Sequence, residues 1–156
     1  MTNEQVLAEN FSFVSSLKDD VWHAQTDPKS YEWWYFDALS DDGHDAVVIF
    51  FFDNFIFSPR YNSKKQNSKV PAVAFSYYRN GKPIYRVIKE FPLDEFQSSK
   101  TEPFVQIGNC SMKFDSAPYG KGYLIEIKTN FQQNKQLEAK LEWLLIESDL
   151  VNSNET

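Results

Sequence analysis

Two carboxylates bracket four large rings in the stretch Ser30–Ala38, SYEWWYFDA. Glu32 precedes Trp33, Trp34, Tyr35 and Phe36, and Asp37 follows them. An acid set among apolar rings has a chemical use. Desolvation disfavours the anion and raises a carboxyl pKa, by several units in a fully buried site. A carboxyl kept protonated near neutral pH donates a proton. Rings around the reacting carbon then shelter a developing cation, by roughly 0.5–2 kcal/mol each. The competing reading is structural: the rings fill a core, and each acid caps a turn or pairs with a base such as Arg79 or Arg86.

In an extended chain alternate residues share a face. Glu32, Trp34 and Phe36 form one set. Tyr31, Trp33, Tyr35, Asp37 and Leu39 form the other. Two catalytic constellations follow. In the first, Asp37 with Tyr35 beside it protonates an alkene, Trp33 shelters the tertiary cation, and water adds. In the second, Glu32 with Trp34 takes those roles. Phe36, Phe51, Asp53, Tyr77 and Arg79 complete the candidate ligand-binding set. Asp53 interrupts VVIFFFDNFIF, which places it at a bulge or strand edge, or in a polar part of a lumen. Arg79 and Arg86 flank an Asn-Gly turn, as solvated side chains over neighbouring rings or as counter-ions to a pocket carboxylate.

The elements that must position these residues read as strand and turn. Tyr31–Leu39 is a strand closed by SDDGHD. Ala46–Phe57 is rich in valine, isoleucine and phenylalanine, a strand composition. Pro71–Arg79 and Lys82–Phe91 flank RNGK, whose Asn-Gly suits a type I′ hairpin turn. PLDEFQSSKTEP reads as a connector. Phe104–Ile107, Ser111–Phe114 and Tyr123–Phe131 follow as strands, with Gly120–Gly122 assigned to a turn. Leu137–Ile146 alternates as a strand but also carries a helical apolar stripe. The pattern predicts an all-β fold: an antiparallel up-and-down barrel or closed sandwich of about eight strands over residues 21–147. Residues 1–20 read as a loosely ordered arm and 148–156 as a disordered tail. The basic loop Arg60–Lys69 reads as a solvated segment or as a lid at the barrel rim.

Composition narrows the function classes. The chain has 156 residues, 17% of them aromatic, and a net charge of −6. One domain of this size needs no staples. The acidic balance argues against nucleic acid or an anionic membrane as partner. No run is long enough for a spanning helix. The start lacks a signal-peptide pattern, and the single Cys110 suits a reducing compartment, so a cytoplasmic location is expected. His23 and His44 lack metal-ligand spacing, and no phosphate loop or nucleophile elbow occurs. No metal and no cofactor are therefore expected. Cys110 reads as a small packed thiol.

The string SYEWWYFDALSDDG, followed by a phenylalanine-rich strand, YYRNGKPIYR and EFPLDEF, resembles the carotenoid 1,2-hydratase (hydroxyneurosporene synthase) family and its AttH-like relatives, over about Tyr31–Trp143. The resemblance implies a lipocalin-like barrel, usually two such units per chain, acting on isoprenoid-like or polyene substrates without a redox cofactor. The family also has secreted members. The chain matches only the amino-terminal unit. Expected partners are therefore an apolar small molecule and a second barrel or a second copy of the chain. A non-catalytic lipid carrier or sensor, or an interaction module with a self-filled interior, are the alternatives.

Overall fold

A computed structural model describes residues 20–25, 27–63, 68–118, 120–131 and 135–144. Most of the expected arm and all of the expected tail lie outside the described residues. Among the described residues nine strands form two antiparallel sheets. The first holds β1 (Trp33–Leu39), β2 (Asp45–Phe52), β3 (Ala72–Arg79) and β4 (Lys82–Glu90), in that order. The second holds β5 (Phe96–Ser98), β6 (Phe104–Ile107), β7 (Cys110–Ala117), β8 (Gly120–Phe131) and β9 (Lys135–Leu144). The architecture is an all-β sandwich. Its sheets do not join into a continuous barrel, because among the described residues β4 does not pair with β5, nor β9 with β1.

Local chemistry explains the elements. Asn80 and Gly81 both have positive φ, 51° and 71°, as a type I′ turn between β3 and β4 requires. The carboxyl-terminal segment is the strand β9, in register with β8 from Gly122↔Leu144 to Phe131↔Lys135. Long-range pairing thus overrides the helix propensity of its leucines. Gly122 lies inside β8 rather than in a turn. A Cβ there would sit 2.1 Å from the Trp143 carbonyl oxygen, so the close approach of β9 requires glycine. The connector PLDEFQSSKTEP contains a 3₁₀ turn, Leu93–Glu95, and then β5. Pro92 precedes that turn as its N-cap, with φ −58° and extended ψ.

The core lies between the sheets. Trp34, Ile49, Phe51, Val73 and Phe75 project from the first sheet. Val105, Ile107, Cys110, Met112, Ile125 and Ile127 project from the second, and Phe91 lies at the crossing. Ile49, Phe51, Ile107, Met112, Ile125 and Ile127 are essentially fully buried. Burial of each such side chain stabilises the fold by about 1.5–3 kcal/mol. At the β1 edge side chains join the sheets where no ladder does. Phe36 packs on Tyr123 at 5.3 Å and on Trp143 at 5.6 Å. The Trp143 indole N–H donates to the Asp37 carbonyl at 2.9 Å.

Candidate functional site

The alternation of β1 divides the aromatic stretch between two environments. Trp34 is buried and Phe36 half-buried, both in the core. Trp33 and Tyr35 point to the other side and are 49% and 48% exposed. Asp37 shares that outer side and is exposed.

Register extends the outer side across the sheet. Tyr35, Phe50, Ala74 and Ile88 lie in one row, and Asp37, Val48, Ser76 and Arg86 in the next. In these two rows the larger residues occupy β1 and β2, and β3 contributes the small Ala74 and Ser76. The rings form a continuous ladder. Tyr31 stacks on Trp33 at 5.3 Å, Tyr35 meets Phe50 at 4.8 Å, and Phe50 stacks on Phe52 at 5.3 Å. Trp33 meets Phe52 edge-on at 6.5 Å, and Phe52 continues to Phe55 and Phe57. Beside this ridge runs a groove of about 590 Å³. Ala74 and Ser76 are its small residues; Val48, Phe50 and Phe52 line one side, and Tyr78, Arg86 and Ile88 the other. The neighbouring Asp37 carboxylate raises the Tyr35 phenol's pKa, chiefly by favouring the protonated hydroxyl as a hydrogen-bond donor, with smaller contributions from desolvation and the carboxylate's charge.

The other candidate residues lie elsewhere. Glu32 sits at the end of the ridge strand, held by His23: Nδ1 lies 2.8 Å from Oε1, and the His23 backbone N–H donates to Oε2 at 3.0 Å. Phe51 is in the core. Asp53 is buried in the turn after β2, where it meets Lys69 Nζ at 2.5 Å, accepts the Glu32 backbone N–H at 2.6 Å, and receives the Trp22 indole N–H at 3.5 Å. Its neighbour Asn54 donates to the carbonyls of Pro28 and Ser30 and accepts the Val70 N–H. The pair thus fastens three chain segments, which is the structural reading of that interruption. Tyr77 and Arg79 converge on Asp45, at 2.7 and 2.9 Å. Those contacts hold the Asp45 carboxyl below the ordinary carboxylate range, the Tyr77 hydroxyl contributing most.

The described ends of the basic loop are tied to the body, Arg60 to Glu90 and Lys69 to Asp53; Lys64 and Lys65 lie outside the described residues. Among the described residues no cluster of three His, Cys, Asp or Glu forms a metal site. Nor is any helix among them long and apolar enough to cross a membrane. The structure therefore brings Trp33, Tyr35 and Asp37 together, and separates them from Trp34, Phe36 and Phe51. The groove residues Phe50, Ala74, Ser76 and Ile88 were absent from the candidate set. Their signal was the apolar character of both alternate sets in β2, which a one-sided core does not require.

No family model matches the chain, and no solved structure matches it. One curated protein is similar: a hydroxyneurosporene dehydrogenase of Chlorobaculum tepidum, 34% identical over 90 residues. The match covers 50% of this chain but 24% of that protein, so the chain spans about a quarter of its relative's length. The similarity places the chain near a carotenoid-related enzyme.

Proposed function

We propose that the outer face of β1–β4 binds an extended apolar molecule of the isoprenoid or polyene class, laid in the groove against the ring ladder. The observation that carries this reading is the unbroken series of rings, from the half-exposed Tyr31, Trp33 and Tyr35 to the partly buried Phe50 and Phe52, beside a groove of about 590 Å³. Such volumes suit small-molecule ligands. Covering apolar surface contributes about 25 cal/mol per Å², and a flat conjugated chain stacks on rings that are already ordered. Hydroxyneurosporene, the carotenoid after which the similar enzyme is named, has this chemistry.

Chemistry at the site belongs to Asp37 and Tyr35. A protonated Asp37 would give its proton to an alkene carbon. Trp33 would shelter the tertiary cation. Water would add its oxygen to that cation and return a proton to the carboxylate. Donation needs an apolar surround, and a ligand lying over Tyr35 is what would supply it. Carriage without reaction uses the same groove and has no need of the acid.

The test uses all-trans-retinol as an isoprenoid polyene probe, with quenching of tryptophan fluorescence as the readout. Saturable quenching is expected, and Ser76→Trp, which fills the groove, should weaken it at least tenfold without lowering Tm. No saturable binding, or binding indifferent to Ser76→Trp, overturns the reading. For a bound alkene that is hydrated, Asp37→Asn should abolish turnover while leaving binding in place.

A further inference from the structure

The same face has a second property, its relief. In its two central rows the larger side chains, Tyr35, Phe50 and Val48, stand on β1 and β2, and the small ones, Ala74 and Ser76, lie on β3. A two-fold axis lying along the strands between β2 and β3 sets β1 of one copy over β4 of another and keeps every row in line. Phe50 then stands over Ala74 of the second copy, and Tyr35 over Ile88. In the next row Asp37 stands over Arg86, and Arg86 over Asp37. Ridge enters groove twice, and the charges at the two rims are opposite. Among the described residues neither Asp37 nor Arg86 has an ion-pair partner within its own chain.

We propose that this face pairs with a second copy of the chain, sheet on sheet, through the Phe50–Ala74 row and the reciprocal Asp37–Arg86 pairs. An isologous interface demands self-complementarity of this kind. Four strands spaced about 4.8 Å and seven residues rising about 3.4 Å each give a flat footprint of roughly 450 Å². Side-chain relief enlarges that figure, and Tyr31, Phe55 and Phe57 extend the patch towards the roughly 800 Å² per partner of a standard interface. Facing sheets at about 10 Å leave the grooves filled by the partner's rings. Resting on the ligand reading above, the partner's ridge and a bound polyene exclude each other.

Sedimentation velocity of the full chain over a concentration series tests the pairing without ligand. A concentration-dependent dimer is expected. Asp37→Arg and Arg86→Asp each set like charges opposite one another and should raise the dimer Kd about tenfold or more. The combined charge swap should restore it. Both positions are exposed, and unchanged circular dichroism confirms that each variant folds. A chain that stays monomeric to millimolar concentration overturns the proposal, as does a dimer indifferent to both single swaps. Retinol added to the dimer should release monomers; retinol bound to an intact dimer overturns the exclusion. A separate retinol titration below the dimer Kd tests the ligand reading by itself.

Discussion

Replacing Asp53 by alanine should be among the most damaging single changes in the molecule. The carboxylate side chain is 2% exposed and the Lys69 side chain 13%. Its removal strands three donors at once: the Lys69 ammonium, the Glu32 backbone N–H and the Trp22 indole N–H. Breaking a buried pair costs about 3–5 kcal/mol, mostly as the penalty of the charge left behind. For a chain of this length about 3 °C of Tm follows each kcal/mol. The expected fall is therefore about 9–15 °C, read by thermal melts and urea titration. Lys69→Met leaves the carboxylate unpaired and should lose about 3 kcal/mol. The double variant Asp53→Asn with Lys69→Met keeps an acceptor for the Glu32 N–H and leaves no lone charge. Its loss should fall short of the sum of the Asp53→Asn and Lys69→Met single losses by about 0.5–3 kcal/mol, the coupling expected of direct contacts. A cost below about 1 kcal/mol for Asp53→Ala, or strictly additive losses, would refute the reasoning.

Trp34→Ala should cost about 3–5 kcal/mol, the price of a core ring, while Trp33→Ala on the exposed side should change urea stability by less than about 1 kcal/mol; equal losses would contradict the division of β1 into two faces. Gly81→Val should destabilise the β3–β4 hairpin by about 1 kcal/mol or more, because a β-branched residue resists positive φ; an unchanged Tm would exclude the type I′ assignment. Because Asp45 has a lowered folded-state pKa, its contribution to stability is present above the unfolded value of about 3.8 and is lost as pH falls through the lower folded value. Asp45→Asn should therefore flatten the acid limb of a Tm–pH profile below about pH 4, and a profile identical to that of the parent would disprove the linkage. Burial raises the Cys110 thiol's pKa, so a thiol reagent should modify it only slowly at pH 8 in native protein and promptly in urea; prompt native reaction would mean the site is open.

Strand existence was legible because alternation, β-branched runs and Asn-Gly turn chemistry act locally. The β1, β3 and β4 boundaries fall within two residues of those expected. The end of β2 did not: Phe55 and Phe57 continue the apolar run, but Asp53 and Asn54 spend their polar atoms on three other segments and turn the chain away. β5 was hidden because three residues carry too little period to distinguish them from a connector. The sequence offered a barrel and a closed sandwich side by side and did not choose between them. Whether a set of strands rolls into one barrel or packs as two sheets depends on which edges meet, and that is set by long-range contacts such as Phe36 on Tyr123 and Trp143. For the site, the sequence grouped Trp33, Tyr35 and Asp37 correctly by parity, but it could not tell which parity faced the core.

That ambiguity has a physical source, and the two acids bear on it. A one-residue slip of β1 would exchange Trp34 and Phe36 for Trp33 and Tyr35 in the core. Both sets are aromatic, so hydrophobicity distinguishes the two registers poorly. Polar groups do it instead. The Glu32 N–H donates to Asp53 Oδ1, and the Asp53 N–H donates to the Glu32 carbonyl at 3.0 Å. The Glu32 carboxylate meets His23, the Trp34 indole donates to the Asp20 carbonyl at 3.1 Å, and the Trp143 indole donates to that of Asp37. Each would lose its partner on a slip; for the part-buried Glu32 N–H and Trp34 indole the cost is about 1–3 kcal/mol each, and the exposed His23 and Trp143 contacts, which water can replace, add less. Glu32 therefore pins the strand. With register fixed by polar contacts at its ends, both faces of the strand are left free to be aromatic: one to hold the sheets together, the other to meet whatever settles on the outside.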